Sequence, residues 1–437
     1  MRISTLQAFN NGVAGLQRNY ANATRTQEQI STGNRILTPA DDPVASVRLL
    51  QLEQQQNVLG QYNANLTAAK NSLTQEEVTL NSVNTILQRV RELAVQAGNG
   101  ALSTEDRKSI AAELTEREDE LLSLMNTRNA RGEYLFSGFQ GKTQPFVRAG
   151  DGSYSYQGDE GQRKLQIASS LNIPISDNGK SIFQNITNAG RLTTAPVFNA
   201  SAPVTSTLVV SAPLVSDEVA FSGAEPFPPE GVELEFQADG KYVIYRLPRA
   251  LNPADDVVLK DDLSMDNDPK KSDKLVFRGV TVHLDGTPAE GDRVAIVPGS
   301  ISGLDAEGNV LRDPNATVQN KQGILDTIAN LRSALEEPTT SSGGVRDAVA
   351  VALTNLDHGM ISVDAARGNI GARLNVIETT QTDNEDVTLV NKSVQAELRE
   401  LDYAEALSRL SFQTVILEAA QQSYVKISGL NLFNAMR

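Results

Sequence analysis

Apolar residues recur at alternating spacings of three and four along both ends of this 437-residue chain, the mark of helices with one buried stripe. Near the start Leu6, Phe9, Val13, Leu16, Tyr20, Ala23, Gln27 and Ile30 keep strict step, after which Ser31-Thr32-Gly33 break the helix and Pro39 to Pro43 make a kinked joint. A longer stripe follows at Leu59, Tyr62, Leu66, Ala69, Leu73, Glu76, Leu80, Val83, Leu87, Val90, Ala94 and Ala97, with leucine every seven residues from Leu52 to Leu87. A helix over 44–97 would be about 80 Å long, closed by Gly98 and Gly100. Ser103 and Asp106 have the spacing of a capping pair for a third helix, with Ile110, Leu114, Leu121 and Leu124 along one side. Towards the C-terminus a helix is predicted near 318–337, and then the stripe returns at Val349, Leu353, Leu356, Met360, Val363, Arg367, Ile370, Leu374 and Ile377. A polar stretch at 378–386 interrupts it before Tyr403, Leu407, Leu410, Thr414, Leu417, Gln421 and Tyr424 resume the rhythm.

The middle of the chain has the opposite character. Fourteen of 17 prolines fall within 145–316, two before and one after, and proline costs about 3 kcal/mol inside a helix. Val232 to Phe236 alternate apolar and polar, Asp239-Gly240 offers a tight turn, and Tyr242 to Leu247 return, a hairpin pattern. Val280, Val282 and Leu284 alternate with Thr281 and His283, while residues 193–229 suit short strands with long loops. The predicted class is α+β: long antiparallel helical arms from both termini, with a β-rich domain inserted between them. The divisions are 1–43, a terminal helix and joint pairing with 387–437; 44–145 and 317–386, the two halves of a helical core; and 146–316, the insertion.

Composition removes most chemistry. The chain has 39 basic and 54 acidic residues, a net charge of −15, which disfavours nucleic acid or an anionic membrane as partner. Cysteine and tryptophan are absent and only two histidines occur, His283 and His358, so thiol chemistry, cysteine-ligated metals and multi-imidazole sites are excluded. His283 reads as solvent-facing on a strand, and Asp357-His358 as part of a solvated helix face. The run Asp261-Asp262-Leu263-Ser264-Met265-Asp266-Asn267-Asp268 lacks the glycine and closing glutamate of a calcium loop and reads as a solvated loop. No phosphate loop, dinucleotide fingerprint or nucleophile elbow is present. The expectation is a non-enzyme with no catalytic, cofactor or metal residues. The start lacks the apolar run of a signal peptide and no stretch approaches ~18 apolar residues; the chain is expected to be cytoplasmic or to leave by a route that reads no such signal.

A narrow stripe on one helix needs a second helix to cover it. Stripes that reach almost to both chain ends, beyond the joint and the polar stretch, suggest burial supplied by neighbouring subunits. Leu6, Phe9, Val13 and Leu16 would pair with Leu407, Leu410 and Leu417. Leu66, Leu73, Leu80 and Leu87 would pack on Leu353, Leu356, Ile370 and Leu374. Gly33, Asp41, Asp42 and Pro43 would form the joint. Such ends are expected to stay largely disordered in the free subunit and to fold on assembly.

Several stretches resemble the bacterial flagellin-like axial proteins. Ile30-Ser31-Thr32-Gly33-Asn34-Arg35-Ile36 with Ala40-Asp41-Asp42-Pro43 is similar to the flagellin signature after the first helix. Gln88 to Gln96 resembles the flagellin core helix, and Arg367 with Ile370-Gly371-Ala372-Arg373-Leu374-Asn375 its C-terminal counterpart. Within that group the opening Met1-Arg2-Ile3-Ser4-Thr5, the run Gly132-Glu133-Tyr134-Leu135-Phe136-Ser137-Gly138 followed by Pro145-Phe146, and the ending Ile427 to Phe433 resemble the hook-associated protein 3 family. Gly286 to Arg293 followed by Val294 to Val297 is similar to a strand element of hook-associated proteins. The resemblance covers about 1–146 and 320–437. It implies export through the flagellar type III apparatus with a chaperone on the C-terminal helices. Outside the cell it implies a ring of subunits forming the layer between another hook-associated protein and the flagellin filament. It further implies that the helix with Arg89, Arg91, Glu92 and Leu93 matches one read by an innate immune receptor. Two other readings stay open: a filament flagellin, and an exported adhesin or enzyme carried by the β insertion.

Overall fold

The computed structural model describes residues 2–199, 202, 205–250, 253–266, 271–304, 310–313, 318–337 and 341–435. Its main helices are α1 (Arg2–Thr32), α2 (Pro43–Ala97), α3 (Thr104–Met125), the short α4 (Glu218–Phe221), α5 (Ile324–Glu336), α6 (Ser342–Arg399) and α7 (Tyr403–Ala435). All strands fall between α3 and α5. The fold is α+β, with helices from both termini and a β-rich middle. Two compact units are distinguished: a terminal unit, Met1–Ala68, Gln166–Leu171 and Val376–Arg437, and a central unit, Ala69–Leu165 and Asn172–Asn375.

In the central unit the α2 stripe is wholly buried: Leu73, Leu80, Val83, Leu87 and Val90 have no exposed surface. Here α2 and α6 run antiparallel, tied by Arg91 to Asp357 at 2.8 Å and Asn84 to Asp364 at 3.5 Å. Ser103 caps α3 in a reciprocal box with Asp106, and Ile110, Leu114, Leu121 and Met125 turn inward. Leu124 is only half-buried, because the inner stripe of α3 passes one position later. Glu118 is fully buried on α3, where Arg332 of α5 (3.1 Å), Arg148 (3.2 Å) and the Tyr154 hydroxyl satisfy it.

The β region is built from short pieces. Hairpins join β1 (Phe146–Arg148) to β2 (Tyr154–Tyr156) and β3 (Lys164–Gln166) to β4 (Asn172–Pro174), and β5 (Ile186–Thr187) pairs with β17 (Lys321–Gln322). The larger sheet has the order β11 (Val258–Ser264), β10 (Lys241–Arg246), β9 (Val232–Phe236), β14 (Arg293–Pro298), β6 (Leu192–Val197). The second sheet runs β12 (Asp273–Phe277), β13 (Val280–Asp285), β7 (Val209–Val210), with β8 (Leu214–Val215) also on β13, and β15 (Ile301–Leu304) pairs with β16 (Val310–Arg312). The two sheets share one core that includes Val232, Leu234, Phe236, Ile244, Val282, Leu284 and Ile296. In the β9–β10 hairpin the connection is Ala238–Gly240, where Asp239 (φ 61°) and Gly240 (φ 71°) take the left-handed conformation that turns the chain back.

Three local expectations change. The polar stretch 378–386 does not interrupt α6, which is continuous to Arg399; the break falls at 400–402. The stretch contains no glycine or proline, and Thr380 and Thr382 return their hydroxyls to the carbonyls of Val376 (2.8 Å) and Glu378 (3.1 Å). Residues 261–264 lie in the edge strand β11 rather than in a loop, while 267–268 fall outside the described residues. His358 is half-buried, its Nδ1 3.0 Å from the Thr187 carbonyl, because β5 lies over that side of α6; His283 is exposed on β13.

Candidate assembly site

The site is the helix pair and joint of the terminal unit. α1 and α7 pack antiparallel, and contacts at both ends fix the register. The Phe9 and Tyr424 rings lie 5.3 Å apart at one end, and at the other the Leu401 N–H donates to the Gly33 carbonyl at 3.0 Å. At 1.5 Å of rise per residue on each helix, that register sets Leu16 level with Leu417 and Ala23 level with Leu410. The covered faces are Val13, Leu16, Asn19, Ala23, Thr26 and Ile30 on α1 and Ala406, Leu410, Gln413, Leu417, Ala420 and Tyr424 on α7.

The joint between α1 and α2 is dense in polar contacts. Gly33 takes a left-handed φ of 71°, and a Cβ placed there would stand 2.9 Å from the Tyr403 hydroxyl. The next residues pair with the α6–α7 break: Arg35 N–H reaches the Arg399 carbonyl at 2.7 Å, and Arg399 Nε reaches Asn34 Oδ1 at 2.9 Å. The Arg35 guanidinium donates to the Leu398 carbonyl at 3.1 Å and lies 3.7 Å from Asp42, while Gln29 donates to the Arg35 carbonyl at 2.6 Å. Asp41 accepts from the backbone of Leu37 (2.9 Å) and Thr38 (3.0 Å) and pairs with Arg25. Asp42 caps α2 through the Ala45 N–H at 3.0 Å, with Pro43 at the first helical position, where a missing N–H costs nothing.

Large apolar side chains stand on the outward surface of this unit. On α7, Phe412 is 71% exposed, Val415 62% and Leu407 54%. Tyr20, Tyr403, Ile416 and Val425 are exposed too, as are Val44, Val47 and Leu50 on α2 and Leu389 and Val390 on α6. Inside the same unit the α2–α6 seam is partly polar. Asn384 is buried and donates to Asn63 at 3.3 Å, and Asn391, one heptad on, is buried with its Nδ2 unpaired.

The remaining residues named from the sequence fall as follows. Leu66, Leu73, Leu80, Leu87, Leu356 and Ile370 are buried, Leu353 and Leu374 half-buried, and the Leu6 side chain lies outside the described residues. Phe9 keeps nearly half its surface exposed beside Tyr424, and Leu407 stands off the seam. Arg25, Arg35, Arg399 and Tyr403, which complete the joint, and Phe412, Val415 and Ile416 were not singled out as site residues; clustering of apolar residues off the expected stripe is the signal for the last three. On the core helix Arg89 binds Glu113 (2.8 Å) and Glu92 (2.9 Å), holding the Glu113 carboxyl below its ordinary range, and Leu93 is buried. Among the described residues no group of three or more acidic or histidine side chains is arranged to hold a metal ion, and no helix is long and apolar enough to cross a membrane.

Comparison with known proteins adds to this geometry. Residues 3–141 match the bacterial flagellin N-terminal helical region. The chain is 36% identical over 188 residues to flagellar hook-associated protein 3 of Salmonella typhimurium, covering 43% of this chain and 58% of that protein. It therefore spans little more than half the length of that curated relative. The crystal structure of flagellar hook-associated protein 3 from Legionella pneumophila is similar over 80% of this chain and 98% of its own, with 26% identity and a TM-score of 0.60. That of the flagellar junction protein FlgL from the same organism is similar over 81% and 100%, with 26% identity and a TM-score of 0.57. These relatives are structural parts of flagella.

Proposed function

We propose that this chain is a structural adaptor of the bacterial flagellum. A ring of its copies would form the layer between the hook, through another hook-associated protein, and the flagellin filament. The observation that carries this reading lies in the terminal unit: Phe412, Val415 and Leu407 of α7 are exposed, and the α2–α6 seam of the same unit is partly polar. Large apolar side chains left exposed along one helix suit a protein partner, and a neighbouring copy supplies the same helices. Leu6, Phe9, Val13, Leu16, Leu407, Leu410 and Leu417 would then serve the inner layer. Leu66, Leu73, Leu80, Leu87, Leu353, Leu356, Ile370 and Leu374 would serve the next, with Gly33, Asp41, Asp42 and Pro43 as the joint. The chain would travel unfolded through the flagellar export channel, its C-terminal helices held by a chaperone, and act outside the cell.

A strain lacking this protein should carry bare hooks and release flagellin into the medium. Filaments still attached to its hooks would overturn the reading. The match of residues 3–141 to the flagellin helical region favours a second one, a filament subunit. In that case the same deletion would remove the filament without releasing any flagellin.

A further inference from the structure

Glu76 stands at a seam position of α2 that the residues seven before and after it fill with Ala69 and Val83, and it is 1% exposed. Among the described residues it receives one hydrogen bond, a long one of 3.2 Å from the Asp177 N–H. Asp177 lies in the segment that follows β4 and is also buried. Its two oxygens are taken by a forked contact from Arg373 of α6, at 3.0 and 2.9 Å, and by Gln162 at 2.7 Å. Arg163, the remaining nearby cation, is engaged by Glu133 at 2.7 Å. One guanidinium thus faces two buried carboxyl groups and is committed to one of them. A second buried negative charge beside Asp177 would be poorly compensated.

We propose that Glu76, Asp177 and Arg373 form a proton-controlled clamp, which fastens residues 172–179 to the α2–α6 seam while Glu76 holds a proton and loosens when that proton passes to solvent. The segment's further backbone bonds run from β4 to β3, from Ile175 to Arg163 and from Gly179 to Phe136. Burial drives the Glu76 carboxyl from 4.5 up to about 8, with repulsion from Asp177 adding to it and Arg373, the Asp177 N–H and Arg163 opposing it. Because the folded value is raised, the clamp is tightest below 4.5 and its strength is lost as pH rises to about 8. Between those limits the opening equilibrium should grow roughly tenfold per pH unit and then level off.

Amide hydrogen exchange on the full chain, corrected for the intrinsic rate, reads this directly. Protection of the Ile175, Asp177 and Gly179 amides should fall roughly tenfold per unit between pH 5 and 7.5 and flatten above pH 8. Glu76→Gln, which copies the protonated form, should hold those amides at a constant level while amides of α3 keep wild-type protection. A flat wild-type profile, or the same slope in Glu76→Gln, overturns the clamp. Should that variant not fold, carbon-13 titration of the wild-type Glu76 carboxyl decides instead: a midpoint near 8 supports the clamp and one near 4.5 rejects it.

Discussion

The two halves of α2 follow one sequence rhythm and differ in what fills the seam and what is left outside. In the central unit Leu73, Leu80 and Leu87 are fully buried, and Arg91 and Asp357 close the edge. In the terminal unit Val44, Val47 and Leu50 lie outside while Asn63 meets Asn384 across the seam. Apolar burial drives folding at roughly 25 cal/mol per Å², so the first arrangement sustains itself. The second leaves that driving force unspent on its outer side. A heptad rhythm therefore tells where helices pair; which face is finished inside one chain depends on what sits behind it.

Truncation in the central unit should do the most damage. Leu87→Ala removes a side chain with no exposed surface and should cost about 2–5 kcal/mol by cavity formation, read as a lowered denaturation midpoint of the central unit. A cost near zero would mean that the seam there is no tighter than in the terminal unit. The opposite sign is expected at Asn391, whose amide nitrogen is buried and unpaired. Asn391→Leu should stabilise the terminal unit by about 1–3 kcal/mol, seen as slower amide exchange over 388–398. Its second consequence is a looser register, since buried polar seam residues reject misaligned pairs and the contact of Asn384 with Asn63 would remain to do so. Faster exchange in the variant would show that the amide serves the folded chain.

Gly33→Ala comes next. The left-handed φ of 71° and the Tyr403 hydroxyl 2.9 Å from the new Cβ both resist it, and the strain should be about 1–2 kcal/mol. The hydroxyl is the far end of an exposed side chain and can swing away, so backbone strain is the larger part. The effect should be local, raising exchange at the Leu401 amide, which is bonded to the Gly33 carbonyl. An unchanged Leu401 amide would mean that the joint does not depend on this turn.

Much of this was legible in the sequence, and the part that was not has one physical cause. The stripe on α2 is buried at the named positions from Leu59 to Ala97, with only Tyr62 half-exposed, because its bulky residues are the inner ones. On α1, α6 and α7 the bulky residue and the inner one part company. Tyr20 gives way to Asn19, Leu353 to Ala352, Met360 to Gly359 and Leu407 to Ala406, each one residue towards the N-terminus. Small residues let helices approach closely, and the large ones are displaced to the rim; hydropathy alone ranks them the other way round. The Glu76 cluster was equally hidden, since its partners Asp177 and Arg373 are about a hundred and three hundred residues away in the chain. The left-handed turn at Gly33 and the caps from Asp41 and Asp42 are local and legible in the sequence, whereas the partners that tie the joint to the α6–α7 break, Arg399, Leu401 and Tyr403, are distant in the chain.

The smallest effect on the free chain is the one that separates the two units most sharply. Phe412 is 71% exposed and Val415 62% exposed on the outer side of α7. Replacing both by serine removes no internal packing, so the free chain should change by less than about 0.5 kcal/mol. If the outer side of this helix exists for neighbouring copies, the double variant should lose self-association in sedimentation while its unfolding curve overlays the wild type. An exposed apolar pair of the central unit, Val78 (62%) and Val276 (51%), serves as the control and should leave both measurements unchanged. Equal loss of association in the two variants would mean that any exposed apolar residue drives the assembly. Full association in the α7 variant would mean that the outer face of the terminal unit is not where copies meet.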